Sequence, residues 1–166
     1  MNKYLLLGFS ALHLFPHPMG VSPVGAIAIY AGALGDRRLA WLVPLIPMLL
    51  KDSSIGFYDS GAMASVYGGT ILSVFMGQAI LSQKRSFFRY IAAFVGGASV
   101  FFFVANCGIF YSGGNAIQLT ALFAYYQNGL PYWGIGVLAN IGFGLSLFAL
   151  HARLSHHEVR VEAISR

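Results

Sequence analysis

The chain has 166 residues, of which 57% are hydrophobic and only 9% charged, with a net charge of +5. A length in this range predicts one domain, and an ordinary soluble domain carries roughly a quarter charged residues. The composition therefore excludes a disordered or collagen-like chain and a water-soluble enzyme, and it predicts an integral membrane protein.

Six apolar segments follow one another, at about residues 4–16, 20–34, 39–50, 61–82, 90–106 and 131–152, and none contains Asp, Glu, Lys or Arg. The expected fold class is all-α, a polytopic membrane bundle of about six transmembrane segments filling residues 1–152, with a short tail at 153–166. The first three segments are short and broken by prolines, at Pro16 and Pro18, at Pro23, and at Pro44 and Pro47. Such interrupted segments belong at membrane depth only where protein covers them or where they line a cavity.

The basic residues set the orientation. With six crossings, Lys3, the Asp36-Arg37-Arg38 turn, Lys84, Arg85, Arg89 and the tail arginines share one side, and only Lys51 is left on the other. The reading is N-inside and C-inside, with outer connections near 17–19, 51–60 and 107–130. Within the last of these, Asn115 reads as a helix N-cap and residues 116–126 as a short interfacial helix, with Tyr125, Tyr126, Tyr132 and Trp133 at headgroup level. A sharper reading makes the same stretch a lid over an outward-facing pocket. Because the basic residues lie in short separated clusters between apolar runs, nucleic acid is not an expected partner.

The spans carry no ionisable carboxylate or cation of the kind that ion-driven carriers place at depth. Nor do they hold a paired acid, base and nucleophile, so no enzymatic activity is expected. The lone Cys107 offers no redox scaffold, and no cofactor is expected. His13 and His17 stand at metal-ligand spacing on a helix, but Pro16 and Pro18 interrupt the face and no further ligand lies nearby; the expected metal set is none. His156 and His157 lie in the tail, beside Glu158 and Arg160.

What remains are polar groups near one side of the bundle. Asp52, Tyr58 and Asp59 stand in the second outer turn, Asn106 at the end of the fifth span and Gln118 beside the interfacial segment. Asn140 sits well inside the sixth span, roughly 13 Å below Pro131 at 1.5 Å per residue. With His17 and Trp133 these are the candidate ligand-binding residues, although each has a structural alternative as a cap, an ion-pair partner or an interhelical hydrogen bond. Small residues four apart, Ala28 and Gly32, Ala64 and Gly68, Ser65 and Gly69, Ala92 and Gly96, Ala93 and Gly97, mark faces for close packing or for a partner protein.

The stretch His17-Pro18-Met19-Gly20-Val21-Ser22-Pro23-Val24-Gly25-Ala26, the Asp36-Arg37-Arg38 turn, Gly56-Phe57-Tyr58 and Leu130-Pro131-Tyr132 together resemble a family of small bacterial membrane proteins of unknown function. The likeness spans about residues 12–150. In architecture that family is similar to the S-components of energy-coupling-factor importers, six-helix subunits that bind a small nutrient and depend on a separate scaffold and ATPases. The resemblance implies a small polar or aromatic solute bound from the outer side, with a scaffold and ATPase as partners beside membrane lipid. Two positions depart from it: the first span lacks a small-residue pair four apart, and Asn2 stands where nickel and cobalt members carry a histidine. A subunit that is purely structural within a larger membrane assembly is the competing expectation.

Overall fold

The computed structural model describes residues 2–18, 20–114 and 118–164, with side chains as far as Ser155. Among the described residues it contains six helices and no strand: α1 (Lys3–Leu14), α2 (Val24–Leu34), α3 (Leu42–Ile55), α4 (Ser60–Leu81), α5 (Phe87–Ser112) and α6 (Leu119–Ile164). Local chemistry explains several boundaries. The Asn2 side chain accepts from the Tyr4 and Leu5 amides and starts α1. Asp59 does the same for α4 through the Gly61 and Ala62 amides. Gly56 ends α3 at a φ of 108°, a conformation open to glycine and strained for other residues.

Three stretches, Ser60–Leu81, Phe87–Ser112 and Leu119–Ser155, are long and apolar enough to cross a bilayer. Their flanks leave Leu72, Phe75, Phe103 and Leu138 exposed, as lipid contact requires. This is a membrane protein. The other helices have 12, 11 and 14 residues, and α2, at about 16 Å, is roughly half the thickness of a hydrocarbon core.

Two expectations are corrected. Residues 119–126 are not a separate interfacial helix but the first turns of α6, which continues through Pro131 and on to Ile164. Pro131 removes one amide donor, and a helix that long and apolar absorbs the loss. The expected 107–130 connection shrinks to 113–118, because α5 runs to Ser112 and α6 begins at Leu119. The Asn115 cap lies outside the described residues, as do the side chains of His156, His157, Glu158 and Arg160.

The helices alternate in direction. Asn2 and His151 both meet the Tyr30 hydroxyl near the end of α2, while Asp52 of α3 meets Tyr67 near the start of α4. α2 contacts every other helix and is almost wholly enclosed, with Ala26 through Ala31 at 0% exposure. Glycines let α4 come this close: a Cβ on Gly77 would strike the Ile29 carbonyl, and one on Gly32 the Val74 carbonyl. The core around the second half of α2 is built from Ile27, Ile29, Tyr30, Leu81, Phe94, Leu147 and Phe148.

The small-residue pairs divide by face. Ala28 and Gly32 point inward, as do Ala93 and Gly97, and Ser73 of α4 donates to the Gly97 carbonyl at 3.0 Å. Ala64 and Ala92 are exposed, and open space surrounds the position of a Cβ on Gly68. Gly96 faces the Met76 methyl. Of the five pairs, Ala28 and Gly32, Ser65 and Gly69, and Ala93 and Gly97 lie on the packing seam, which runs one residue away from the other two.

Candidate functional site

Because α2 begins only at Val24, the opposite half of the bundle lacks a central helix. The space it would occupy is a cavity of about 700 Å³. Residues from α1, the 15–23 connection and α3 through α6 surround it, and Gly25 at the start of α2 closes its floor.

One rim carries the ionisable groups. The Lys51 ammonium donates to His17 Nε2 at 2.9 Å, and the His17 ring lies 5.4 Å from that of His13, centroid to centroid. The Ser22 hydroxyl shares a hydrogen bond with His13 Nδ1 at 3.2 Å and accepts the Val24 amide at 3.3 Å, which ties the connection to α2. Asp52 takes the Tyr67 hydroxyl at 2.7 Å, so it acts neither as a helix cap nor as a Lys51 partner. Burial, and then the negative charge of Asp52, push the Tyr58 phenol above its ordinary range.

Aromatic side chains form much of the wall: Phe101 and Phe102 from α5, and Tyr125, Tyr132 and Trp133 from α6. The Trp133 indole N–H donates to Ser99 at 3.1 Å, which holds the ring in place. Asn106 donates to the Phe102 carbonyl one turn earlier at 2.8 Å. Deeper in, Thr70 and Ser73 spend their hydroxyl protons on backbone carbonyls of α4 and α5. Asn140 is different. It is only 6% exposed, lines the cavity against Gly25, and makes no hydrogen bond to any described residue.

Of the residues singled out by sequence, His17, Asp52, Tyr58, Asn106, Trp133 and Asn140 stand around this one cavity. Asp59 and Gln118 do not. The Asp59 carboxylate caps α4, and the Ala62 amide there, with the Ser112 hydroxyl from the end of α5, holds its pKa below the usual carboxylate range. Gln118 is exposed just ahead of α6. Sequence reasoning passed over Ser22, Gly25, Thr70 and Ser73, because short polar residues in a span read equally well as packing. The one available signal was that Thr70 and Ser73 lie three apart on α4, on the face that carries Gly69 and Gly77.

His13 and His17 do come together, but the near partner of His17 is an ammonium, which competes with a cation for the imidazole lone pair. Among the described residues no cluster of three or more His, Cys, Asp or Glu forms.

The chain belongs to DUF6580, a family of unknown function. The family model matches residues 3–162, nearly the whole chain. No curated protein and no solved structure matches it. Membership agrees with the expected uncharacterised family, and the likeness to importer S-components is taken up below as a proposal.

Proposed function

We propose that this DUF6580 member is the solute-binding subunit of a membrane transport system, similar in role to an S-component. The observation that carries the reading is the 700 Å³ cavity with a buried, unpartnered amide at its floor. That volume falls within the range of small-molecule sites, roughly 300–1,000 Å³, and an aromatic wall with a few polar groups is their usual lining. The polar atoms of this amide stay open to the cavity, where a bound solute can pair with them. The lack of charged residues in the spans fits a subunit whose energy comes from an ATPase elsewhere.

In this reading all six helices lie at membrane depth, with α1 to α3 covered by the longer helices. The termini and the basic turns at Arg37, Arg38, Lys84, Arg85 and Arg89 face the inside of a bacterial inner membrane, and the cavity rim with Lys51 faces out. The protein binds and presents its solute without chemical conversion.

Native mass spectrometry of the protein purified gently from its own membrane tests this. A retained small molecule, lost from Asn140→Leu, together with an ATPase-scaffold partner, is the expected result. A stoichiometric protein partner with no small molecule would replace the proposal with an accessory structural role.

A further inference from the structure

The floor of the cavity is the N-terminal turn of α2. Its cap position is Pro23, whose side chain makes no capping bond, and its first turn holds no acidic residue. The Val24 amide is taken by Ser22 and the Ile27 amide by the Pro23 carbonyl. The Gly25 and Ala26 amides have no acceptor among the described residues. At the other end of the helix the dipole is already answered, since the Arg85 guanidinium donates to the Ala33 carbonyl at 3.3 Å. The positive end of α2 is thus left without a counter-charge at the bottom of a cavity.

A second and independent feature points to the same spot. Asn140 comes from a different helix, is nine-tenths buried, lines the cavity and has no partner among the described residues. Its Oδ1 and then its Nδ2 lie against Gly25 so closely that any Cβ there would overlap them, and a half-turn of the amide exchanges which of the two faces the seat. Glycine at this position brings the backbone and the amide to one place. The acidic lining residue, Asp52, is at the rim and already receives a hydroxyl.

We infer that the cavity takes a planar aromatic solute bearing a carboxylate, seated with the carboxylate against the α2 N-terminus and the Asn140 amide N–H. This deepens the proposed function and rests on it. Backbone amides at a helix start and a side-chain amide are donors that suit an anionic oxygen, and the helix dipole adds to the attraction. The ring then lies between Phe101, Phe102 and Trp133, with the Lys51 ammonium at the entrance.

The test is equilibrium dialysis of the detergent-purified full chain against nine probes: the carboxylates of benzene, indole and quinoline, each beside its carboxamide and its aminomethyl counterpart. At least one carboxylate should bind about tenfold or more tightly than its two counterparts, the scale of a charge-assisted hydrogen bond. Asn140→Leu and Gly25→Ala should each remove that preference. Asn140→Asp, which keeps the shape and places a negative charge at the seat, should abolish carboxylate binding even if the leucine variant folds poorly.

If a carboxamide or amine binds as well as the carboxylate and Asn140→Leu still weakens it, the solute class is wrong and the binding role stands. If Lys51→Gln costs more carboxylate affinity than Asn140→Leu, the seat is at the rim and the inference falls. If none of the nine binds, this inference fails, and the mass-spectrometric result then decides the binding role separately.

Discussion

The two halves of this bundle are built from the same six helices and differ in what fills their middle. Around the second half of α2 the space holds Tyr30, Phe94, Leu81 and Leu147, all at 0% exposure. In the other half, beyond Val24, the same ring of helices encloses 700 Å³. The difference comes from the length of one helix: an 11-residue segment fills half of what a spanning helix would fill. Polar chemistry follows the same division. In the filled half the Tyr30 hydroxyl accepts the Asn2 amide and shares a hydrogen bond with His151 Nδ1, whereas in the hollow half Asn140 faces space.

Substitutions can break or sharpen that contrast. The largest loss is expected from Phe94→Ala, which empties a fully buried ring site between Tyr90 and Phe148. Truncations of this kind cost about 3–5 kcal/mol, read here as a lowered unfolding midpoint in detergent. Gly32→Ala comes next, because its new methyl meets the Val74 backbone carbonyl and no flexible side chain can yield; about 1–3 kcal/mol is expected by the same measurement.

In the hollow half, Asn140→Leu should change stability by no more than about 1 kcal/mol, since no hydrogen bond to a described residue is broken and the polar atoms removed open onto the cavity. Solute binding should nevertheless be lost. A collapse as large as that of Phe94→Ala would show that Asn140 is a packing residue and would end the contrast.

The smallest effect concerns Asp59. Its pKa is lower in the folded protein, chiefly through the Ala62 amide and then the Ser112 hydroxyl. Its contribution is therefore fully present above the unfolded aspartate value, about 4, and is lost as pH falls through the lower folded value. Asp59→Asn should flatten the acid limb of a stability-pH profile slightly and leave the neutral region almost unchanged. A shift at neutral pH would contradict the assignment of Asp59 as a helix cap alone.

Much of the architecture was legible before any coordinates. Unbroken apolar runs with no charge predicted α4 within one residue of its limits, because in lipid the backbone must satisfy itself, whereas α5 runs on to Ser112, beyond the expected end at 106. Pro131 misled, since a proline read as a boundary costs a helix only one donor when the flanking runs are apolar. The small-residue pairs misled in a different way. At four-residue spacing, two neighbouring registers of α4 and of α5 look alike, and only the approach of another backbone distinguishes Gly69 and Gly97 from Gly68 and Gly96.

The candidate site was half legible. Asn140 stood out because an amide in an apolar span needs a partner, Asn106 as an amide at a span end, and Trp133 as an amphipathic ring at headgroup level. Asp59 was indistinguishable from Asp52 in the same turn, as both are carboxylates beside a helix end. One reaches across to Tyr67 and the other folds back on its own amides.

The sequence by itself determined the solvent and the helical class, because hydropathy acts on each segment independently of its neighbours. Tertiary structure alone decided that α2 is enclosed, that its first turn at Val24 and Gly25 lies beneath a cavity, and that Asn140 arrives there from more than a hundred residues later in the chain. A void is a property of several helices at once. No single segment records it, because its volume depends on how closely glycines such as Gly32 and Gly77 let the backbones approach.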